Sequence, residues 1–483
     1  MLKSGAYRSS LLSALLCAFL LFFVFLQAQG VEGGQDSWNH FLISKCAIHH
    51  PDLLLDQWNK PVFTWCTVLI CQLGINALII FNIVCVVLSG FFVAAGMQKQ
   101  GFKHTWVLVP FTVFTPVLFH NTISGLTEPL NVLFLSLVIF FWCAEKRKLS
   151  VGLASFLPFV RTEGFVICGA VFIMILARKE YRLLYWLVLG SFIMNLAGFI
   201  ITHEPFWIIT ENPYWKHETE GTFEAGSGSF LHYMRLARAL FGVPLLFLFL
   251  LGNVIWVLRK IKRQDIPEML SMSLLIFHLY FFAHTTIYYF GILGSHGLPR
   301  VMAVIAPALA ISSFISIDFM VKNLHHRYRI AAFAGIAILV IWVAYKETGY
   351  PKPHRFSEIT VQADKSHTNF IKAGEWLQDH HLMDRPIIHQ YPYFDVRFDK
   401  DPYNIQSSYR VWSIDQKSDW AAKGVIVIWD GFSAVREGNM KLEWLQNNPD
   451  YKEIYFIQGF EQPADNPSMY DIHIFEKVGP NKG

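Results

Sequence analysis

The feature that most constrains this chain is a series of apolar stretches long enough to cross a bilayer. A helix needs about 20 apolar residues to span a hydrocarbon core of roughly 30 Å. Because 53% of the 483 residues are hydrophobic, the pattern predicts an all-α polytopic membrane domain. Stretches of this kind lie at 11–28, 75–96, 104–119, 127–143, 183–202, 239–258, 268–291, 301–320 and 330–345.

Two further apolar stretches, 149–160 and 164–177, are shorter than a usual membrane span. The polar run Arg161-Thr-Glu163-Gly164 separates them. This pattern predicts a tight helical hairpin whose turn reaches the membrane surface. With the hairpin included, we expect about eleven crossings.

The charges in the loops predict the orientation. If the N-terminus is cytoplasmic, most Lys and Arg residues of the short loops fall on the cytoplasmic side, as the positive-inside rule requires. An odd number of crossings then places the C-terminal tail on the extracytoplasmic side, in the periplasm, the exterior or a lumen. Residues 1–30 could instead be a cleaved signal peptide, but their apolar run is long and favours a retained helix. In both cases the loop 29–62 is extracytoplasmic.

The tail after Pro351 differs in composition and predicts a small α/β domain. Helices are expected near 366–380 and 438–447, with strands at 386–389, 424–429, 453–458 and 471–476. The predicted organisation is therefore a transmembrane domain over 1–348, with outer loops 29–62 and 203–238, and an extracytoplasmic domain over 350–483. Asp395 and Asp430 are interpreted as turn and surface carboxylates of that domain.

The first outer loop contains the most informative carboxylate, Asp36. Trp38, Phe41, Leu42 and Cys46 follow it with the spacing of one apolar helix face, which predicts an amphipathic helix along the membrane interface. A carboxylate at a helix N-terminus can simply cap backbone amides. Capping and a chemical role therefore both remain open for Asp36 on these residues alone.

Several segments together resemble the GT-C superfamily of membrane glycosyltransferases. The resemblance covers an outer loop that opens with Asp36, the run Trp58-Asn-Lys60-Pro-Val-Phe-Thr64, and the turn Arg161-Thr-Glu163-Gly164. His296-Gly-Leu-Pro-Arg300 followed by Pro307 is similar to the His-Lys-Glu-x-Arg-Phe…Pro stretch of mannosyltransferases in that superfamily. The resemblance implies a donor in which the sugar is linked to polyprenyl or dolichyl phosphate.

The sequence departs from the family pattern at two places. Gln35 and Ser37 flank Asp36, where many relatives have paired acids. Gly297-Leu-Pro299 stands in place of Lys-Glu-x. Paired acids that could bind a metal are therefore not expected here, and the identity of the sugar stays open.

The chemistry of such a transfer assigns candidate roles to the remaining polar residues. A lipid phosphate is already a good leaving group and needs cations, whereas an acceptor hydroxyl needs a base. Asp36 is the candidate base, since an ordinary Asp is ionised at neutral pH. Weaker alternatives on the same loop are Glu32, Asp52 and Asp56. The candidate ligands of the donor phosphate or substrate are Arg300 and Arg161 first, then His296, Glu128, Lys60, Arg235 and Arg238.

The long outer loop 203–238 is aromatic, acidic and rich in glycine, which is typical of a lid that orders on substrate binding. Its candidate residues are Trp207, Glu211, Tyr214, Trp215, His217, Glu218, Glu220, Gly221, Glu224, Gly226 and Gly228. The seven cysteines indicate no disulfide framework. No cofactor is indicated, and a divalent metal is compatible with the reaction without a motif that calls for one.

We therefore expect an integral membrane glycosyltransferase that moves a hexosyl or related sugar from a polyprenyl-phosphate donor to an acceptor hydroxyl, with inversion. Expected partners are the lipid-linked donor, a glycan, lipid or protein acceptor and membrane lipids, without nucleic acid. The alternative is a polytopic secondary transporter or lipid flippase, which would place ionisable residues at mid-helix. His278, His284 and Asp318 are the candidates of that kind. A non-catalytic membrane scaffold is a third reading.

Overall fold

A computed structural model describes residues 4–213, 226–346, 365–410, 422–459 and 470–479. Its contacts divide the chain into two compact units. The first unit comprises Met1–Gly33 and Pro51–Val361, and the second comprises Gly34–His50 and Gln362–Gly483. Part of the first outer loop therefore clusters with the C-terminal residues and not with the helices that flank it.

The described part of the first unit is helical, as the apolar pattern predicts. Its α-helices are Ser4–Gln27, Pro61–Thr67, Ile75–Lys99, Leu108–Val113, Pro116–Thr122, Glu128–Cys143, Arg147–Ala154, Gly164–Ala177, Leu184–Leu187, Leu189–Thr202, Trp207–Thr210, His232–Phe241, Val243–Ile261, Glu268–Phe290, Ala306–Val321 and His326–Lys346. Short 3₁₀ helices connect several of them, at Pro51–Leu55, Ile70–Leu73, Thr105–Val107, Leu157–Phe159, Tyr181–Leu183 and Pro299–Ile305.

Seven helices in the described residues are long and apolar enough to cross a membrane. They are Tyr7–Gln27, Ile75–Lys99, Tyr181–Thr202, Val243–Ile261, Glu268–Phe290, Pro299–Val321 and His326–Lys346. Each coincides with a predicted crossing. Of the other four predicted crossings, Glu128–Cys143 and Gly164–Ala177 are shorter apolar helices, and the segments 104–119 and 149–160 are broken. Of about eleven expected crossings, seven are therefore helices of full length in the described residues.

The break in the segment 104–119 has a local cause. Thr115 has an extended backbone, with ψ at 120°, and Pro116 begins the next helix. Proline lacks an amide hydrogen and disfavours helical geometry at the residue before it. The apolar composition therefore continues through a point where the helix cannot.

The long helices carry large apolar side chains on their outer faces. Phe192 is 66% exposed and Phe247 is 63% exposed, although other faces of the same helices pack into one large apolar core. Soluble proteins rarely expose contiguous apolar surface on this scale, whereas a lipid environment accepts it. The protein is accordingly an integral membrane protein.

The turn predicted at residues 161–164 is present between two helical segments. Gly164 begins the helix Gly164–Ala177 directly against the end of the preceding segment. A Cβ atom at this position would lie 2.2 Å from the carbonyl carbon of Leu157. Only glycine allows this approach, which fixes where the neighbouring Arg161 and Glu163 lie.

The second unit is built on a five-stranded mixed sheet. The strands are β1 (Ile387–His389), β2 (Ser408–Arg410), β3 (Ile426–Asp430), β4 (Tyr451–Ile457) and β5 (Ile472–Lys477). Their order is β2-β1-β3-β5-β4. β1 pairs in parallel with β2 and β3, with Ile388 opposite Tyr409 and Val427. β5 pairs antiparallel with β3 and β4.

Alternate residues of the central strands fill two apolar layers, one on each face of the sheet. Ile387 and Ile426 pack with Phe370 on one face, and Ile388 and Val427 pack with Leu445 on the other. Period-two alternation explains this division. The helices of the unit are Gly34–Cys46, Lys365–Asp379, Pro392–Phe398, Ser433–Arg436 and Leu442–Gln446. The predicted α/β domain is thus confirmed, although its β2 strand and the helix Pro392–Phe398 escaped sequence reasoning.

The helix that follows Asp36 is present, but its apolar face has a different partner from the one predicted. Trp38 packs edge-to-face on Tyr393 with ring centroids 5.0 Å apart, and it also contacts His367. Phe41, Leu42 and Cys46 are buried. The apolar face therefore packs on the helix Pro392–Phe398 of its own unit rather than on a lipid surface, so the predicted interface helix was wrong.

Candidate functional site

Two arginines of the first unit converge on one buried carboxylate. Glu128, at the start of the helix Glu128–Cys143, has no exposed side-chain surface. Nη1 of Arg161 lies 3.0 Å from Glu128 Oε1, and Nε of Arg300 lies 3.5 Å from the same oxygen. All three residues were predicted at the sequence level, and the fold brings them together. Two guanidinium groups therefore share one oxygen of a buried carboxylate.

Arg161 is held rigidly in this cluster. Its Nε and Nη2 donate to the two carboxylate oxygens of Glu163 at 3.2 and 2.8 Å, and Nη1 donates to Thr127 Oγ1 at 2.8 Å. Burial alone would raise the pKa of Glu163, but Arg161 and His284 outweigh burial and lower that pKa to about 2. Burial opposes the charge of Arg161, yet Glu128 and Glu163 raise its pKa above the ordinary value. Both partners are therefore charged at neutral pH.

Arg300 is positioned through its backbone. The carbonyl oxygen of Arg300 accepts a hydrogen bond from Asn121 Nδ2 at 3.2 Å, and that of Val301 accepts one from the Tyr280 hydroxyl at 3.0 Å. Asn82 in turn holds the loop after Asn121, because its Nδ2 donates to the carbonyl oxygen of Ser124 at 2.6 Å. The Arg300 side chain keeps 22% of its surface exposed. It is the more accessible of the two guanidinium groups.

A carboxylate of the first outer loop, Glu32, reaches the same cluster. Its amide donates to the carbonyl oxygen of Ile123 at 2.9 Å, and its carboxylate lies 3.0 Å from Nε2 of His120. Burial would raise the pKa of Glu32, but His120 and Arg300 together lower it below the ordinary value. Burial would lower the pKa of His120, and Glu32 raises it instead. Glu32 was predicted only as a weaker alternative to Asp36.

Lys60 is buried beside this cluster. It has a positive φ of 74° and directly precedes the helix Pro61–Thr67. Its ammonium group donates to the carbonyl oxygen of Gln57. Burial lowers the pKa of Lys60 to about 8, with Arg161 acting in the same direction and Glu163 and Asp56 opposing it. Lys60 is therefore a cation whose charge changes close to physiological pH.

Asp36 belongs to the second unit, where its surroundings are acidic and rich in amides. The Gln35 side chain lies 2.9 Å from Ser433 Oγ, and its amide nitrogen in the satisfied orientation lies 3.0 Å from Glu437 Oε2. Burial and the charge of Asp36 raise the pKa of Glu437 to about 7, although Glu437 borders on solvent. The role of Asp36 as base stays a prediction.

The other predicted residues lie outside the charge cluster or outside the described residues. His296 is exposed in the loop before Arg300, and a Cβ on Gly226 would lie 3.5 Å from its Nδ1. Arg235 and Arg238 are exposed on the helix His232–Phe241. Asp52 lies in the first turn of the 3₁₀ helix Pro51–Leu55. Asp56 instead accepts a hydrogen bond from the amide of Asn59 at 2.6 Å.

The predicted lid falls largely outside the described residues. Tyr214, Trp215, His217, Glu218, Glu220, Gly221 and Glu224 lie in the segment that the structure does not describe. Trp207 is described and buried, and its ring occupies the space that a Cβ at Gly198 would need, within 2.2 Å. Its role in a lid remains a prediction.

The two acids of the C-terminal domain that were interpreted as surface carboxylates are in fact buried. Asp430 is 4% exposed and accepts hydrogen bonds from the amides of Phe432, Ser433 and Ala434 at 3.1, 2.5 and 3.1 Å. It caps a turn, as expected, but from the interior. Asp395 is 1% exposed and lies 2.9 Å from His389.

Sequence reasoning missed His120, Glu163 and Tyr280 as members of the charge cluster. Glu163 lies inside the Arg161-Thr-Glu163-Gly164 run, so its spacing from Arg161 was a usable signal. His120 and Tyr280 carried no signal, because His120 directly follows the apolar stretch 104–119 and Tyr280 lies within the stretch 268–291. Within the described residues, no group of three or more His, Cys, Asp or Glu side chains could hold a metal ion.

Comparisons with known proteins bear on the fold. No family model and no curated protein matches this sequence. ArnT from Cupriavidus metallidurans bound to undecaprenyl phosphate superimposes with a TM-score of 0.59 at 13% identity, over 98% of this chain and 99% of that chain. The oligosaccharyltransferase of Archaeoglobus fulgidus, in complex with zinc and sulfate, gives 0.51 at 13% identity, over 86% of this chain and 67% of that chain.

Both of these neighbours are members of the GT-C superfamily. The resemblance stated from the sequence is thereby confirmed at the level of the fold. This chain has a helical membrane unit and a small C-terminal sheet unit of the ArnT-like kind. At 13% identity, what the arginine cluster does must be argued from its own chemistry.

Proposed function

We propose that the protein is a glycosyltransferase that takes a sugar from a polyprenyl-phosphate donor and transfers it to an acceptor hydroxyl on the extracytoplasmic side. One observation carries the proposal. In a fold shared with a protein that binds undecaprenyl phosphate, Arg161 and Arg300 meet at Glu128, with Lys60 and Glu32 linked to them electrostatically. A lipid phosphate and a hydroxyl together require this combination of cations and a carboxylate.

The donor phosphate is assigned first to Arg300. Its guanidinium group presents planar donors that match phosphate oxygens and cannot lose its charge. Arg161 is already engaged with Glu163, Glu128 and Thr127, so its contribution is a fixed positive potential together with the orientation of Glu128. Lys60 adds a point charge that depends on pH. These cations stabilise the negative charge that develops on the departing phosphate.

The base is assigned to a carboxylate of the first outer loop. Glu32 is supported because its ion pair with His120 and the charge of Arg300 hold it ionised within the charge cluster. Asp36, the residue that the sequence predicts, belongs to the other unit and remains the second candidate. We favour Glu32 because its link to Arg300 is internal to one unit.

The reaction is a single displacement. The carboxylate accepts the proton of the acceptor hydroxyl while that oxygen forms a bond to the anomeric carbon. The bond between the anomeric carbon and the phosphate oxygen breaks, and its electron pair leaves with polyprenyl phosphate. One displacement at one carbon gives inversion. This displacement does not require a divalent metal, because the arginines and Lys60 already stabilise the negative charge of the departing phosphate.

The loop charges support the side on which this happens. With a cytoplasmic N-terminus, the loops that contain Glu32, Glu128, Arg161 and Arg300 all fall on the extracytoplasmic side. The acceptor is a hydroxyl of a glycan, a lipid or a protein, and the sugar is a hexose or a related pyranose. Mannose is the first donor to try because His296, Arg300 and Pro307 have the spacing of the mannosyltransferase motif.

The test is release of polyprenyl phosphate by the purified protein from a panel of polyprenyl-phosphate sugars, with soluble and lipid acceptors present. General base catalysis contributes roughly 10²- to 10⁴-fold, so Glu32→Gln should lower turnover by at least about 100-fold while Asp36→Asn retains most of it. Arg300→Ala should mainly weaken donor use. Full turnover by Glu32→Gln together with loss of turnover in Asp36→Asn would assign the role of base to Asp36. If the wild-type protein released no polyprenyl phosphate from any donor, the proposed function would be refuted.

A further inference from the structure

A second polar cluster lies in the sheet unit, at the carboxyl ends of its parallel strands. β1 lies between β2 and β3, and both neighbours run parallel to it. The chain passes from β1 to β2 on one side and then to β3 on the other, so the connections reverse direction around β1. Ligands of open α/β sheets bind outside the carboxyl ends of the strands at such a reversal. Gln390 directly follows β1, and Asp430 ends β3.

Side chains from three parts of the unit meet at this edge. Gln35 contacts both Ser433 and Glu437, as described above. Gln390 also hydrogen-bonds the Glu437 carboxylate, and Nη2 of Arg410 at the end of β2 lies 3.4 Å from Asn39 Oδ1. Glu437 therefore receives amide donors from two glutamines. The charge of Asp36 also raises the pKa of Glu437.

Gln390 gives an independent indication of a ligand. The side chain is buried, with 2% of the residue exposed. Its amide nitrogen is used by Glu437, and among the residues that the structure describes its Oε1 finds no hydrogen-bond partner. A buried acceptor without a partner costs about 1–3 kcal/mol. Such an atom beside a polar edge is accounted for by a ligand that brings a hydrogen-bond donor.

The chemistry of the edge restricts what that ligand is. Arg410 is committed to Asp395, with Nη1 3.1 Å from Oδ2, and the nearby Asp36 and Glu437 disfavour an anion. In the described residues no set of three or more His, Cys, Asp or Glu side chains is arranged to hold a metal. What the edge offers is an amide oxygen and carboxylates, all acceptors that suit hydroxyl groups.

We propose that the edge formed by Gln390 and Glu437 binds a saccharide, whose hydroxyl groups donate to Gln390 Oε1 and to the Glu437 carboxylate. The site does not depend on the proposed transfer reaction, because Gln390 and Glu437 have no part in it. It gives the sheet unit a carbohydrate-binding role of its own.

The experiment is saturation-transfer NMR on the full-length protein in a detergent without a sugar head group. The probes are the methyl glycosides of glucose, galactose, mannose and N-acetylglucosamine. At least one should receive saturation from the wild-type protein. Gln390→Met, which keeps the side-chain volume but removes the acceptor, should weaken binding by about tenfold, as expected for one lost hydrogen bond of about 1.4 kcal/mol.

Three further variants make the result decisive. Glu437→Gln tests the same site at an exposed residue, where the fold tolerates substitution. Gln378→Met is the matched control, because Gln378 is an exposed glutamine of the same unit; it should bind as the wild-type protein does. Arg300→Ala should also retain binding, which separates this site from the donor site. Failure of every probe to bind, or unchanged binding by both Gln390→Met and Glu437→Gln, would overturn the proposal.

Discussion

Each compact unit buries a carboxylate among cationic groups, and the two arrangements differ in how completely that carboxylate is satisfied. In the sheet unit, Asp395 Oδ1 lies 2.9 Å from His389 Nε2 and accepts a hydrogen bond from Ser408 Oγ at 2.8 Å, while Oδ2 pairs with Arg410. In the membrane unit, Glu128 meets Arg161 and Arg300, and the longer of its two ion pairs is 3.5 Å.

This difference distinguishes a structural network in the sheet unit from a candidate ligand site in the membrane unit. The partners of Asp395 come from β1 and β2, which are adjacent strands, so the network joins the sheet internally. The partners of Glu128 come from segments far apart in the chain, and the Arg300 side chain keeps surface available. Hydrogen bonds between adjacent strands rigidify a fold, whereas a guanidinium group with exposed surface can bind a phosphate.

The largest effect on stability is expected in the network around Asp395. Asp395→Ala leaves His389, Ser408 and Arg410 without their shared acceptor, and removal of one partner from a buried ion pair costs about 3–5 kcal/mol. The sheet unit should then become sensitive to limited proteolysis and lose apparent thermal stability in detergent. Glu443→Gln, at an exposed acid of the same unit, is the control. Unchanged resistance of Asp395→Ala would show that the network is not structural.

A smaller effect on stability and a larger one on donor use are expected at Glu128. Glu128→Gln keeps the shape but removes the charge between Arg161 and Arg300, which should lower stability by about 1.5–3 kcal/mol. Because Arg300 loses its anchor, the KM for the lipid-linked donor should rise more than kcat falls. Initial rates over a range of donor concentrations measure both. A variant with unchanged donor KM would argue that Arg300 is held by its backbone contacts alone.

The smallest effect is a change in pH dependence. Lys60 is protonated below its pKa of about 8 and loses its charge above it, so donor KM should rise as pH increases past 8 by at most about tenfold per pH unit. Lys60→Arg keeps the charge and should move this rise to higher pH, and Lys60→Met should raise KM at neutral pH already. Donor KM measured from pH 6 to 10 tests this, and the same alkaline rise in Lys60→Arg would exclude Lys60 as its source.

Much of the fold could be predicted because its signals are local. Long apolar runs predicted all seven full-length helices of the described residues, and short β-like runs predicted four of the five strands. The strand Ser408–Arg410 was missed because it has three residues and contains two polar side chains. The broken helix at Thr115-Pro116 was missed because hydropathy does not register the missing amide of a proline.

The candidate site could be predicted only in part. Glu128, Arg161 and Arg300 were selected because charges at the ends of apolar segments are conspicuous. The preference for Asp36 over Glu32 rested on the resemblance of the first outer loop to GT-C loops that open with an acid. That resemblance could not indicate which unit each residue joins. The helix after Asp36 has the same apolar spacing whether it meets lipid or protein, so the sequence pattern could not identify Tyr393 as its partner.

The amino-acid sequence by itself determined that this chain is a polytopic membrane protein with a small α/β unit, because hydropathy and alternation act over a few neighbouring residues. Only the tertiary structure decided that Arg161 and Arg300 share Glu128, that Glu32 is linked to the same cluster, and that Asp36 joins the unit that contains Glu437. Contacts between residues hundreds of positions apart depend on the packing of whole helices and strands, which leaves no periodic trace in the sequence.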